Sequence, residues 1–295
     1  MFMSFKVSPS ILMILFCALV SAQEPSDIYV FDLIENDSVI LLNNPLNVSA
    51  NEGYDNQPSF SEDGSILFFA SEREGQIDIA TYNFEEGYRS WITNTPDSEF
   101  SPKSFPGKKK YFTCVRLNKD ETQYLYKYAY KNKEPVVLIP DLKVGYYLWI
   151  DQKTLATFVI DDIETLEVSN FKYKIKYPIA KNIGRSIENI PFSAGLGSRK
   201  ISYISLEHGS PEIYAIDPSD STEKYIADPL VGSQDLAWTG KGTILMGNED
   251  GIFQFTPGKS KDWTPVKIES EVPLSGFSRL TLSPDGKKLA VVVLE

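Results

Sequence analysis

The chain of 295 residues contains one histidine, His208, and two cysteines, Cys17 and Cys114. A single imidazole excludes metal sites built from several histidines and leaves a Ser-His-Asp hydrolase only one choice of base. No Gly-x-Ser-x-Gly elbow, phosphate-cradling glycine loop, Cys/His cluster or EF-hand pattern occurs. His208 itself sits in the polar segment Leu206–Pro211, which reads as an exposed inter-strand loop. Positive charge is also scarce: 29 Lys and Arg face 40 Asp and Glu, for a net charge of -11. That balance excludes a nucleic-acid partner, because phosphate binding needs a basic surface, and it suits solubility. Helical periodicity is missing throughout.

Long apolar runs are lacking apart from Ile11–Val20, which falls short of the roughly 20 residues a membrane span needs. Lys6 before that run and Val20-Ser21-Ala22 after it form a secretory signal, predicting cleavage after Ala22 and a mature chain from Gln23. The expected location is the periplasm or the medium, with no transmembrane segment. Phe16 stands where lipoprotein processing before Cys17 wants a small residue. Loss of Cys17 leaves Cys114 without a disulfide partner, and its setting in Tyr-Phe-Thr-Cys-Val predicts a buried small hydrophobe. Two Asn-x-Ser sequons, at Asn36 and Asn47, have meaning only in a eukaryotic secretory pathway.

What the chain does have is a repeat. Asp-Ile-Tyr-Val-Phe from Asp27 returns as Asp-Ile-Ala-Thr-Tyr from Asp78 and Tyr-Leu-Tyr-Lys-Tyr from Tyr124. Thr-Leu-Glu-Val from Thr165, Glu-Ile-Tyr-Ala-Ile from Glu212 and Gly-Ile-Phe-Gln-Phe from Gly251 follow. With Ile28, Ile79, Leu125, Leu166, Ile213 and Ile252 as register, the intervals run from 39 to 51 residues. Short alternating strands at such a period are the signature of propeller blades. Each repeated strand is preceded by a hairpin turn, clearest at Ser61–Gly64 and Ser283–Gly286. Weaker turns fall at Phe105–Gly107, Trp149–Gln152, Phe192–Gly197 and Trp238–Gly242. The fold class is therefore all-β, a six-bladed propeller occupying residues 23–295 as one domain after a signal at 1–22. The phasing is offset: the mature chain opens with a third strand (Asp27–Leu33) and a fourth (Val39–Leu42). It closes with a first (Arg279–Leu282) and a second (Lys288–Leu294). Pairing the two ends in one blade would close the ring and remove two exposed edges.

Pro58, Phe60, Ser61, Asp63, Gly64, Ser71, Arg73, Gly75, Asp78 and Ile79, with Ser283-Pro284-Asp285-Gly286-Lys287, resemble the WD40-like (PD40) repeat of TolB-type six-bladed propellers. Glu62 replaces the usual proline, and the other blades match only by strand pattern. The resemblance implies a periplasmic or secreted propeller, or one of the kind attached to prolyl-oligopeptidase-like hydrolases. The segment from Ala22 to Asp27 is too short for the extra N-terminal domain that TolB carries, so the likeness is to the propeller. The motif residues serve turns and blade packing.

Chemistry must then come from loops on the scaffold. The turns between second and third strands carry Glu72, Glu74, Asp120, Glu121, Asp161, Asp162, Glu164, Glu207, Glu249 and Asp250. They predict an acidic face able to attract a basic partner or a divalent cation; no other cofactor or metal is expected. The hairpins between first and second strands carry Lys108, Lys109, Lys110, Lys153, Arg199, Lys200, Lys241, Lys287 and Lys288, predicting a basic rim opposite. Tyr124, Tyr126, Tyr128 and Tyr130 alternate on one strand face, which suits packing against the next blade better than a sugar or peptide platform. No Asp box of the sialidase kind is present, since Ser61-Glu62-Asp63-Gly64 has the wrong spacing and lacks its Trp. The resulting expectation is a monomeric, non-catalytic binding propeller for a protein or glycan, acting through its acidic face and axial mouth. The alternative is an extracytoplasmic carbohydrate-active or hydrolytic enzyme with central carboxylates about 5–9.5 Å apart. A third reading is a structural component of an envelope complex recruited by its edges.

Overall fold

The computed structural model describes residues 24–36, 39–130, 133–197 and 199–295; the expected signal segment, residues 1–22, lies outside them. Six antiparallel sheets stand around an axis. Blade 1 joins the two ends of the chain, in the order Ile40–Asn47, Ser26–Glu35, Lys288–Leu294, Phe277–Leu282. Blades 2 to 6 follow in sequence, each with its first strand innermost: Asp55–Phe60, Ser98–Ser104, Val144–Trp149, Ile183–Asn189 and Leu236–Trp238. The six expected hairpin turns all join first strands to second strands.

The middle strands of each blade are buried on both faces, so they read as nearly unbroken apolar runs. Ile66-Leu67-Phe68-Phe69 shows why. Phe69 and Leu67 turn toward Ile28, Val30, Ala290 and Val292 of blade 1. Phe68 and Ala70 turn the other way, toward Phe112 and Cys114 of blade 3. Six such clusters, one between each pair of neighbours, replace a single central core. Cys114 is fully buried in one of them, and burial pushes its thiol far above the ordinary range. The tyrosine row packs as a wall, although toward the preceding blade: Tyr126 and Tyr128 are buried against blade 2, and only Tyr130 is substantially exposed.

Closure follows the expected phasing, with Ile28 opposite Val292 and Val30 opposite Ala290. One strand was not legible in the pattern. Lys267–Ile268, beyond blade 6, adds in parallel to the outer strand of blade 1, with Leu41 opposite Lys267 and Leu42 opposite Ile268. It covers an edge that would otherwise expose unpaired backbone groups.

A polar device recurs between blades. The aspartate that opens the third strand accepts hydrogen bonds from the connection to the next blade: Asp27 from Ser49 Oγ (2.9 Å), Asp78 from Thr93 Oγ1 (3.3 Å). The same hydroxyls accept the N–H of Ile28 (2.8 Å) and Ile79 (2.7 Å), which explains the Asp-Ile pair in the repeat. Beyond each hydroxyl lies a buried acid on the next first strand. Asp55 is bonded to Ser71, whose Oγ also accepts from Arg89 (2.6 Å). Glu99 is bonded to Thr95 and accepts from Tyr128 (3.1 Å). Asn47 Nδ2 also donates to Asp27 (2.6 Å), which ties that sequon into the blade. Burial pushes the carboxyls of Asp55 and Glu99 up to about 6 and about 7, and each keeps one buried oxygen without a partner among the described residues.

Two outcomes follow. A chain ending at Leu274 loses blade 1's two inner strands, and calorimetry should show no cooperative transition; adding the missing peptide in trans should restore one. The raised carboxyls bind protons in the folded state that the unfolded chain has already released, so they cost stability as pH rises through 4 to 7. Relative to Asp55→Asn/Glu99→Gln, the parent should lose about 4 kcal/mol of unfolding free energy between pH 5 and 8.

Candidate ligand site in the axial channel

The innermost strands do not run straight. Register shifts interrupt their pairing at Asn56/Ser59, Phe100/Lys103, Val144/Tyr146, Ile183/Ile187 and Ser278/Thr281. Such bulges re-aim side chains. The residues placed at these breaks, with Asp235 just before the short strand of blade 6, are Gln57, Ser101, Tyr146, Arg185 and Arg279, and all six line one axial cavity. Gln57, Ser101 and Arg279 have φ of 56°, 51° and 49°, a left-handed backbone that costs non-glycine residues on the order of 1–3 kcal/mol. The cavity is narrow here, about 80 Å³. It widens to about 260 Å³ toward Tyr54, Gln123 and Ile160, and to about 380 Å³ on the other side, toward Asn189, Trp238 and Gly286.

Charge fills this waist. Arg185 grips Asp235 in two parallel hydrogen bonds, Nε to Oδ1 (2.9 Å) and Nη2 to Oδ2 (2.5 Å). Arg279 Nε stands 3.7 Å from Asp235 Oδ1, while its Nη2 donates to Tyr146 Oη (3.1 Å). Burial raises the Asp235 carboxyl, but the two guanidinium groups outweigh it and hold the group below the usual carboxylate range. Two fixed cations therefore face one fixed anion. Lys103 and Glu188 line the same cavity, and burial pushes Glu188 up to about 7. Ser101 Oγ is buried there with no hydrogen-bond partner among the described residues.

The acidic residues stand in the second-to-third-strand turns as expected. Glu72 is the next-to-last residue of the strand Ile66–Arg73 and is half-buried, Glu164 is half-buried, and Glu74, Asp120, Glu121, Asp161, Asp162, Glu207, Glu249 and Asp250 are exposed. The antiparallel order puts all five turns on one face, where inter-blade connections add Glu52, Asp228 and Glu271. Lysines on this face are partly matched, Lys181 with Glu207 (3.3 Å) and Lys267 with Glu269 (2.5 Å). Asp120 also serves its own turn, accepting from Thr122 N (3.1 Å) and Oγ1 (2.5 Å). Among the described residues no three His, Cys, Asp or Glu side chains gather as a metal ligand set.

The opposite rim differs from expectation. Third-to-fourth-strand turns reach the same face and bring Glu85, Glu86, Asp217, Asp220 and Asp262 among the lysines, together with the further lysines Lys172, Lys174, Lys259 and Lys261. Lys109 is paired with Asp63 (2.8 Å) and Lys288 with Asp32 (2.7 Å). That face is mixed in sign. His208 is exposed and bonded through Nδ1 to Glu212 (2.6 Å), which raises its pKa. The axial set was missed because its six positions share no residue type. Its signal was positional: Gln57, Ser101 and Arg279 each stand four residues ahead of the hairpins that begin at Ser61, Phe105 and Ser283, and Gln57 and Ser101 immediately precede Pro58 and Pro102.

No family model matches the sequence, and no curated protein does. Solved structures match strongly. A putative TolB from Agrobacterium tumefaciens superposes with a TM-score of 0.69 at 14% identity, over 92% of this chain and 99% of that one. TolB from Acinetobacter baumannii gives 0.57 at 10% identity, over 92% of this chain and 64% of that one. Oligogalacturonate lyase from Vibrio parahaemolyticus gives 0.50 at 11% identity, covering 91% and 98%. The likeness thus spans proteins named TolB and a named lyase alike and bears on architecture. No helix among the described residues is long and apolar enough to cross a membrane. The chain is a six-bladed β-propeller of the TolB-like fold.

Proposed function

We propose that this propeller is an exported, monomeric binding module that receives a basic partner, a protein or a basic glycan, on its acidic face. The observation carrying this reading is that five separate turns present exposed carboxylates on one face while the opposite face is mixed. Repeated charge of one sign on a rigid rim raises the local concentration of a cationic partner and speeds its association. Export is supported by Lys6, the run Ile11–Val20 and the small residues before Gln23. A divalent cation at the rim would need ligands supplied by the partner as well, since among the described residues no three His, Cys, Asp or Glu side chains gather as a ligand set.

A second reading has one observation in its favour. Glu188, raised to about 7, and Asp235, held ionised, share the axial cavity, and carboxyls pushed apart in this way are how acid and base roles are divided. Against it, both oxygens of Asp235 are engaged by Arg185. A hydrolytic activity that Glu188→Gln abolishes would replace the binding reading.

The binding reading is tested by titrating an octalysine peptide at 50 mM salt. Converting Glu72, Asp120, Asp161, Glu207 and Asp250 to their amides should weaken binding at least tenfold. Amide versions of Glu85, Glu86, Asp151, Asp220 and Asp262, on the other face, should leave it nearly unchanged. Equal effects from the two sets would sink the proposal.

A further inference from the structure

The acidic face does not account for the waist of the channel, where the charge has the opposite sign. Arg185 and Arg279 share a single carboxylate, Asp235, and Arg185 alone already satisfies both of its oxygens. Arg279 is left with a 3.7 Å approach to Asp235 and one bond to a neutral phenol. A guanidinium in a protein cannot shed its charge, so desolvating it without a matched anion is costly. Ser101 Oγ supplies an independent sign. It is buried, lines the same cavity and has no partner, an arrangement that native interiors rarely leave unanswered. Gln57 is turned so that its Oε1 accepts from the Ser101 backbone N–H (2.6 Å), which leaves its Nε2 as a further unused donor. Three donors from three blades thus border one small cavity beside an excess of positive charge.

We propose that the axial waist is a binding site for a carboxylate group, held by Arg279, Ser101 and Gln57, with the Arg185–Asp235 pair fixing the orientation of Arg279. A planar anion suits the fork of a guanidinium, which donates two parallel hydrogen bonds to its two oxygens. The cavity volume of about 80 Å³ admits the carboxylate and little else, so the rest of the ligand extends into the wider channel on either side. Glu188 opposes the site and Lys103 assists it, both lining the same cavity. The site is separate from the rim, so either can fail without the other.

Thermal unfolding at constant ionic strength, with acetate, glycolate or propionate replacing chloride, reads the site directly, because a ligand specific to the folded state raises the transition temperature in a saturable way. The parent should show this rise. Ser101→Ala, which removes one neutral donor and no charge, should raise the apparent dissociation constant about tenfold. Arg279→Gln should abolish the rise, and Glu188→Gln should tighten binding severalfold. A tripeptide with a free C-terminus, compared with its amide, distinguishes a chain end from a free organic acid as the source of the carboxylate. No rise in the parent, or an equal rise in parent, Ser101→Ala and Arg279→Gln, would overturn the proposal. Ser101→Ala guards against a misfolded arginine variant, since the parent and this variant should unfold at nearly the same temperature in chloride.

Discussion

The antiparallel pairing of Ser26–Glu35 with Lys288–Leu294 is the constraint on which the molecule rests. Every other blade is built from consecutive strands and could form locally. Blade 1 needs both ends of the chain, so its pairing carries the largest loop-closure cost and gains the most long-range contact. Until it forms, blades 2 and 6 each lack a neighbour, and Leu67, Phe69, Leu245 and Ile252 have no apolar surface to pack against on that side. The parallel addition of Lys267–Ile268 fastens the same joint from outside.

The channel exists only in the closed ring, and its chemistry depends on that geometry. Bulges at one level of the innermost strands turn Gln57, Ser101, Tyr146, Arg185 and Arg279 toward a common axis, where Asp235 completes the ring. Each comes from a different blade, so closure assembles what no blade holds alone. The outcome is a molecule graded in charge along its axis: an acidic rim, a cationic waist and a mixed far face. A field of that shape suits the proposed cationic partner at the rim and the proposed carboxylate further inside. The strained backbone at Gln57, Ser101 and Arg279 fits a position held for its side-chain direction at some expense to stability.

Much of the fold could be read from the sequence because propeller strands obey local rules. Asp63-Gly64 and Asp285-Gly286 announce their turns through the positive φ of Gly64 and Gly286, and apolar runs such as Ile66–Phe69 announce burial on two faces. The acidic turns were legible for the same reason, since strand order alone decides their face. Lys267–Ile268 was not, because two residues carry no period. The far rim was misjudged because Glu85, Asp217 and Asp262 belong to a different set of turns that shares the face. The axial residues were hidden more deeply: a bulge leaves no mark in hydrophobic periodicity, and an arginine, a serine and a glutamine at equivalent positions do not resemble a repeat.

The measurement that bears most directly on the charged waist is anomalous diffraction from crystals equilibrated with 3-bromopropanoate. The bromine peak should lie in the axial channel, with carboxylate density against Arg279 and Ser101. Bromine found only at surface lysines, with the channel holding water alone, would contradict this account.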